Sequence, residues 1–416
     1  MSKRLYHKAS IALVAAVLGC AALLAGCSSK NVAATSTSNN SKDYIACLIA
    51  TNDHERAQRG LEKAKKEYGI TTIYRKANDR NNLSLLLDNL VDDKCNVIIG
   101  VGKALIEPMI HHAKSFPAVD YAVMGALKMP DDVPPNLRPI SWDAYQPAFM
   151  AGYVAAGTAA TGNIYAFADK DTPEKRQLMS AFAQGVHAYN NDLSDSQQKN
   201  LSHVTINIDV HTGHTTFIGR TLTPTLLQQQ VNNAVAAQSS VIFAALDSHM
   251  DTLVSQVGSI QGLPLDHRGD PVATDAPSTK TQKRDDTHAL ATVTLVAWQP
   301  LGYDIYDSLI DTKNPLRVKG NPRQTWSETF SKDTMVPPVL TSIMFHTDEM
   351  VKRTIEDART THLSDKHYFA TIENGGSSLS SFHAFNSTVP SALKNKLTTY
   401  TARFSSKTLR VDNIDN

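Results

Sequence analysis

Two α/β lobes, each a parallel sheet flanked by helices, are the fold class this sequence predicts. Three observations carry the prediction. Short continuous apolar runs alternate with amphipathic, helix-length segments from Asp43 onward; the same rhythm starts again near Phe149; and Gly69 and Gly162 stand at segment ends. A strand covered by helices on both faces has no solvated side, so it reads as an unbroken apolar run. Alternation of such runs with helices specifies parallel pairing.

In chain order, Tyr44 to Ala50 is a buried-strand signal. Arg56 to Tyr68 follows as a helix, with Leu61 and Ala64 on one face, Lys/Glu on the other and Gly69 as its cap. Thr71 to Tyr74 resumes a β pattern, Leu83 to Val91 is helical and Val97 to Val101 is a second buried strand. Leu105 to Lys114 reads as helix and Ala118 to Met124 as strand. The second round begins with a small-residue helix, Phe149 to Ala160, and the strand Ile164 to Ala168. Arg176 to Tyr189 (helix), His203 to Val210 (strand), Leu226 to Ala237 (helix) and Val241 to Leu246 (strand) continue it. Met250 to Val257 is a helix and Ala291 to Trp298 a strand. Pro264 to His288 and Asn314 to Asp333 have no apolar period and read as surface excursions.

The chain begins with Lys3, Arg4 and Lys8, then an uncharged apolar run from Ile11 to Gly26. That run is short for a spanning helix, which needs about 20 apolar residues. Ending in Leu24-Ala25-Gly26-Cys27, it has the form of a secretory signal with a lipid-accepting cysteine at position 27. Processing at Cys27 removes three cations and no acid, taking the net charge from +1 to −2. Residues 27–42, rich in Ser, Thr, Asn and Ala, form a flexible tether that lets the body stand off a bilayer.

With 416 residues, 42% hydrophobic and 19% charged, the chain has apolar surface for more than one core and is no disordered polymer. Near-balanced charge excludes a generally basic nucleic-acid binder. Outside the cytoplasm Cys47 and Cys95 are free to pair; two buried free thiols are the other reading. No Gly-x-Ser-x-Gly, His-Glu-x-x-His, Walker or Cys-x-x-Cys motif is present, so no enzyme and no cofactor is expected. His111-His112 and His211 to His214 lack partners at metal-site spacing and read as surface histidines. Gly100-Val101-Gly102-Lys103 is a strand end whose glycines admit a ligand or a helix, with Lys103 free to project inward. Phe217 and Trp298, at strand carboxyl ends, offer ring faces suited to planar or sugar ligands.

The order of these pieces resembles the basic membrane protein family of bacterial lipoproteins. Matching stretches include Gly60 to Glu67, Cys95 to Gly102, Phe149 to Ala156, Phe182 to Val186, Leu340-Thr341-Ser342 and Asn374-Gly375-Gly376. Phe382 to Phe385 and Val389-Pro390 complete the set. The resemblance implies a type I periplasmic-binding fold and the role of solute-binding component in a nucleoside-type ABC importer. It also exposes departures. Thr51-Asn52-Asp53-His54 replaces a longer Gly/Asp-rich turn that clamps the family's ligand, and Met124-Gly125 stands where an acid follows the fourth strand. Ala297-Trp298 replaces the Val-Asp pair that holds ribose, Phe345 replaces a lysine and Asp247 a glycine, while Phe217 falls on the family's stacking aromatic.

The expectation is thus a non-catalytic, lipid-anchored receptor on the extracytoplasmic face of the cell membrane. Two lobes, 43–141 plus 292–362 and 142–291 plus 363–416, would close on a small solute through three crossover segments. Asn52, Asp53, Lys103, Phe217, Asp247, Trp298 and Phe345 would line the cleft, with Phe217 and Trp298 stacking, Asn52 hydrogen-bonding and Lys103 and Asp247 setting polarity. An ABC permease and ATPase would be its partners, with no nucleic acid among them. The alternative is a surface or scaffold lipoprotein of the same fold that no longer binds a nucleoside.

Overall fold

The computed structural model describes residues 43–77, 80–195, 203–260, 293–297 and 338–414. The signal, the tether with Cys27, both polar excursions and Trp298 lie outside the described residues.

Two sheets organise the body. The first contains β1 (Ile45–Ala50), β2 (Thr71–Lys76), β3 (Val97–Val101), β4 (Asp120–Ala126), β5 (Leu137–Trp142) and β12 (Tyr368–Ala370), in the order β12-β5-β4-β3-β1-β2. Every pair in it is parallel. The second runs β13-β11-β10-β9-β6-β7, from β6 (Asn163–Ala168), β7 (Thr205–Ile206), β9 (Val241–Ala245), β10 (Thr294–Ala297), β11 (Val339–Phe345) and β13 (Ser377–Leu379). The short β8 (Thr216–Phe217) lies along the end of β6. This sheet is parallel except at its edge, where β13 pairs antiparallel with β11.

Helices cover both faces of sheet 1. Along β1, Ala46, Leu48 and Ala50 enter one apolar cluster while Cys47 and Ile49 enter another. The first face is closed by α1 (His54–Tyr68) and α8 (Thr347–Thr361), the second by α2 (Leu83–Asp92) and α3 (Ile106–Ser115). Gly60 lets α1 and α8 meet, since a Cβ there would run into the Asp348 backbone. Gly69, left-handed at φ 65°, ends α1 by donating its N–H to the Lys65 carbonyl. Cys47 and Cys95 are joined as a disulfide within the second cluster, their Cα atoms 5.9 Å apart.

Sheet 2 carries α4 (Tyr145–Thr158), α5 (Pro173–Asp195), α6 (Pro224–Ala236), α7 (Met250–Ser259) and α9 (Ser391–Ser405). The small residues of the Phe149–Ala156 stretch fit α4 to α5. A Cβ on Gly152 would meet the Phe182 carbonyl, and one on Gly185 the Phe149 carbonyl, so the two helices share a reciprocal close approach. Phe149 and Tyr153 then pack edge-on against Tyr400 of α9.

The sheets correct the expected division of the chain. Residues 294–297 and 339–345, expected in lobe 1, pair with β9 and complete sheet 2. Residues 368–370, expected in lobe 2, pair with β5 and close sheet 1. The chain thus crosses between sheets after β5, after β11 and after β12. Strand β5, with Arg138 and Pro139 breaking its apolar run, was not expected. The strand expected over 203–210 shrinks to β7 and a turn, because Asp209 takes the backbone N–H groups of His211 and Thr212 and bends the chain away.

Candidate functional site

In an open parallel sheet, ligands sit beyond the strand carboxyl ends where the strand order reverses. Those reversals fall between β1 and β3 in sheet 1 and between β6 and β9 in sheet 2. The described ones among the expected site residues fall at these two places and at the crossings.

At the first reversal, Thr51 N–H bonds the Val101 carbonyl (2.9 Å) and Gly102 N–H bonds the Met124 carbonyl (2.8 Å), so the ladders extend into the loops. Gly102 has φ 126°, and a Cβ there would lie 2.7 Å from Asn52 Oδ1 and collide with Thr51 Oγ1. That glycine admits the neighbouring loop, and Gly100 admits Met109 of α3; neither space is left for a ligand. Asn52 and Lys103 are exposed at this end. Asp53 is not free: its carboxylate pairs with Arg56 (3.4 Å) and accepts the Thr347 hydroxyl, tying the β1–α1 loop to the start of α8. Beside it His54 Nδ1 lies 3.0 Å from Tyr74 Oη, and burial, then the Lys76 charge, lowers the His54 pKa.

At the second reversal a cluster of ions replaces the expected lone acid. Lys175 of α5, 6% exposed, bonds the Asp169 carboxylate, the Ala245 carbonyl (2.9 Å) and Asp247 Oδ1 (2.9 Å). Lys170 takes Asp247 Oδ2 at 2.8 Å, and Asp169 Oδ2 accepts the Asp247 N–H (3.1 Å). Burial pushes the Asp247 carboxyl up, but the hydrogen bonds of Lys170 and Lys175 outweigh it and leave the pKa below its ordinary value. Asp247 therefore presents a carboxylate whose two oxygens are both already engaged. Phe217 is half-buried, in register with Ala168, and meets His214 edge-on at 6.1 Å.

Phe345 belongs to neither cluster. It ends β11, 7% exposed, with its ring stacked on Trp142 at the end of β5. Around this pair the three crossings are laced together. Asp143 N–H bonds the Ala370 carbonyl and His346 N–H the Gly376 carbonyl, each at 2.9 Å, and His346 Nε2 lies 2.7 Å from Ser378 Oγ. Asn374 shapes the third crossing by accepting the Thr371 and Gly376 N–H groups. The structure thus places Asn52 and Lys103 at the first reversal and Phe217 and Asp247 at the second, while Phe345 sits among the crossings and Asp53 ties the β1–α1 loop to α8.

Asp169, Lys175, Trp142 and His346 were missed. Asp169 follows a strand by the same rule that singled out Asp247, and so was legible. Trp142 was hidden with the unrecognised β5. The histidine reading also changes: His112 is buried on α3 between Asp88 (2.9 Å) and Tyr121 (3.0 Å). Among the described residues no His, Cys, Asp and Glu cluster could hold a metal ion, and no helix is long and apolar enough to cross a membrane.

Residues 54–198 match the family described as ABC transporter substrate-binding protein PnrA-like. Basic membrane protein D of Borreliella burgdorferi (strain JD1) is 31% identical over 111 residues, and basic membrane protein A of strain ATCC 35210 is 29% identical over 111 residues. Each alignment covers 27% of this chain and 32% of the relative, so the chain matches about a third of the length of these curated relatives. Among solved structures, an ABC transporter solute-binding protein from Conexibacter woesei DSM 14684 superposes with TM-score 0.58 at 14% identity, covering 89% of this chain and 99% of its own. A solute-binding protein from Aeropyrum pernix K1 gives 0.57 at 14% identity, covering 90% and 94%. At such identities the likeness is one of fold, and it extends over both sheets. Over its matched segment, from α1 to the end of α5, the chain is similar to the basic membrane proteins and to the PnrA-like substrate-binding family.

Proposed function

We propose that this protein is the extracytoplasmic solute-binding component of an ABC importer, tethered by lipid on Cys27 and delivering its solute to a membrane permease and ATPase. One observation carries the reading. Three laced crossings join two sheets whose reversal points carry polar and aromatic side chains, the arrangement a hinge needs to close two lobes on a ligand.

The solute we assign is nucleoside-like. Phe217 would offer a ring face to a base, Asn52 a hydrogen-bonding amide and Lys103 a cation, while the Asp247 carboxylate, fixed by two lysines, would accept a hydroxyl on its exposed side. Rotation at the crossings would bury these groups with the solute and expel water. No reacting group is required of the chain.

A second reading, a scaffold lipoprotein without solute, draws on the Phe345–Trp142 stack and on the engagement of Asp53. Mass spectrometry of small molecules released from purified protein separates the two, followed by thermal shift of the stripped protein with nucleosides, bases and sugars. Recovery of one stoichiometric solute and stabilisation by a nucleoside support the importer reading. Silence across the nucleosides removes that ligand class, and silence with no recovered solute favours the scaffold.

A further inference from the structure

Beside the hinge, on the α4 side, lies a half-open concavity of about 300 Å3. Its polar walls include Asp143 just before α4, and Lys407 and Arg410 of the closing segment; Phe404, Leu409 and Val411 make it apolar elsewhere. None of Asn52, Asp53, Lys103, Phe217, Asp247 and Phe345 lines it. Its volume is at the small end of the range for ligand pockets, which run from roughly 300 to 1,000 Å3, and suits a molecule the size of one amino acid.

The charges inside are of opposite sign and incompletely used. Asp143 Oδ1 accepts the N–H groups of Tyr145 (3.0 Å) and Gln146 (3.3 Å), while Oδ2 accepts nothing from the described residues. Burial raises the Asp143 carboxyl pKa against the pull of those two backbone bonds. An ammonium placed on the open oxygen would relieve that cost. Lys407 is occupied by Glu373 at 3.3 Å, whereas Arg410 makes no ion pair among the described residues. The wall that carries Arg410 is held in place: Gln177 Nε2 donates to the Asp412 carbonyl (2.8 Å), Gln184 Oε1 accepts the Asp412 N–H (2.9 Å) and Gln177 Oε1 the Ile414 N–H (2.8 Å).

We propose that this concavity is a second binding site, for a zwitterion of the α-amino acid class with an apolar side chain, its ammonium on Asp143 and its carboxylate on Arg410. The side chain lies against Phe404, Leu409 and Val411. Because the Asp143 N–H also holds the Ala370 carbonyl, and Gln146 Oε1 accepts the Ile372 N–H (3.4 Å), an occupant touches the first and third crossings of the hinge. It is therefore placed to bias closure without touching Asn52, Lys103, Phe217 or Asp247.

Titration calorimetry of the full-length protein with L-phenylalanine tests this, alongside 2-phenylethylamine, which lacks the carboxylate, and 3-phenylpropionate, which lacks the ammonium. Saturable binding of L-phenylalanine is expected, weakened about tenfold or more by Asp143→Asn, by Arg410→Ala and by omission of either charged group. Arg410 is exposed, so its replacement keeps the test valid should Asp143→Asn fail to fold. Absence of L-phenylalanine binding, equal affinity for either half-probe, or binding indifferent to Arg410→Ala overturns the proposal. A solute recovered from the native protein should change the affinity for L-phenylalanine only by a finite factor that saturates, and a dissociation constant that rises without limit with that solute overturns the proposal, because the two sites are separate.

Discussion

The indole of Trp142 and the ring of Phe345 lie stacked, their centroids 5.0 Å apart and their planes 15° from parallel. The pair joins the end of β5 in one sheet to the end of β11 in the other, where the first and second crossings leave. Phe345→Ala would empty this position and is expected to cost about 3–5 kcal/mol in urea denaturation. Phe345→Leu, which refills most of the volume, should cost clearly less. Equal losses for the two substitutions would show that the ring is not packed as described.

Two neighbouring lysines on one acid should behave very differently. Lys175 is buried against Asp169, and Lys175→Met strands that carboxylate, a loss of about 3–5 kcal/mol. Lys170 has a 61% exposed side chain, and Lys170→Ala should cost about 0–1 kcal/mol despite its 2.8 Å pair. Comparable costs from the two would contradict the buried placement of Lys175.

Gly152 and Gly185 each face a backbone carbonyl of the opposite helix. Ala at either site has better helix propensity, yet must push α4 from α5, so each substitution is expected to destabilise by about 1–3 kcal/mol. The double variant should cost less than the sum, because one separation relieves both clashes. Stabilisation by either alanine would refute the close approach.

Stability should also respond to pH through His346, which sits where the second crossing leaves β11. Burial depresses the His346 pKa; Asp348 and Glu349 pull it up while Arg56 and Lys63 pull it down. An unfolded histidine titrates near ~6.5, so the unfolded chain takes the proton first as pH falls. The contribution is full above that value and is lost as pH drops through the lower folded pKa. The carboxyls of Asp247 and Asp348, held low by their lysines against burial, act with the same sign in a more acidic window, below ~4. Melting temperatures between pH 7.5 and 5.5 should fall less steeply in His346→Gln than in the parent; parallel curves would exclude His346 as a source.

Much of the fold is legible in the sequence because buried parallel strands carry a strong local signal. The runs at Ile45, Val97, Ile164 and Val241 are strands within a residue or two of expectation. Arg138 and Pro139 mask β5, since register with β4 and β12 rather than composition makes it a strand. Sheet membership of β10, β11 and β12 was misjudged because crossings are long-range facts with no local mark. The site was half legible for the same reason. Position after a strand places Asn52, Lys103 and Asp247 at the sheet reversals, but the partners that engage Asp53 and Asp247 come from Thr347, Lys170 and Lys175, distant in sequence or on another element.

In the importer reading the two sheets close on a solute about the laced crossings. Spin labels on cysteines introduced at Asn52 and Ser248, both exposed and one at each sheet reversal, report this as an inter-label distance. Adding the solute recovered from native protein to stripped, labelled protein should shorten that distance and narrow its distribution. A distance indifferent to the solute, with the solute still bound, would show that the sheets do not close on it.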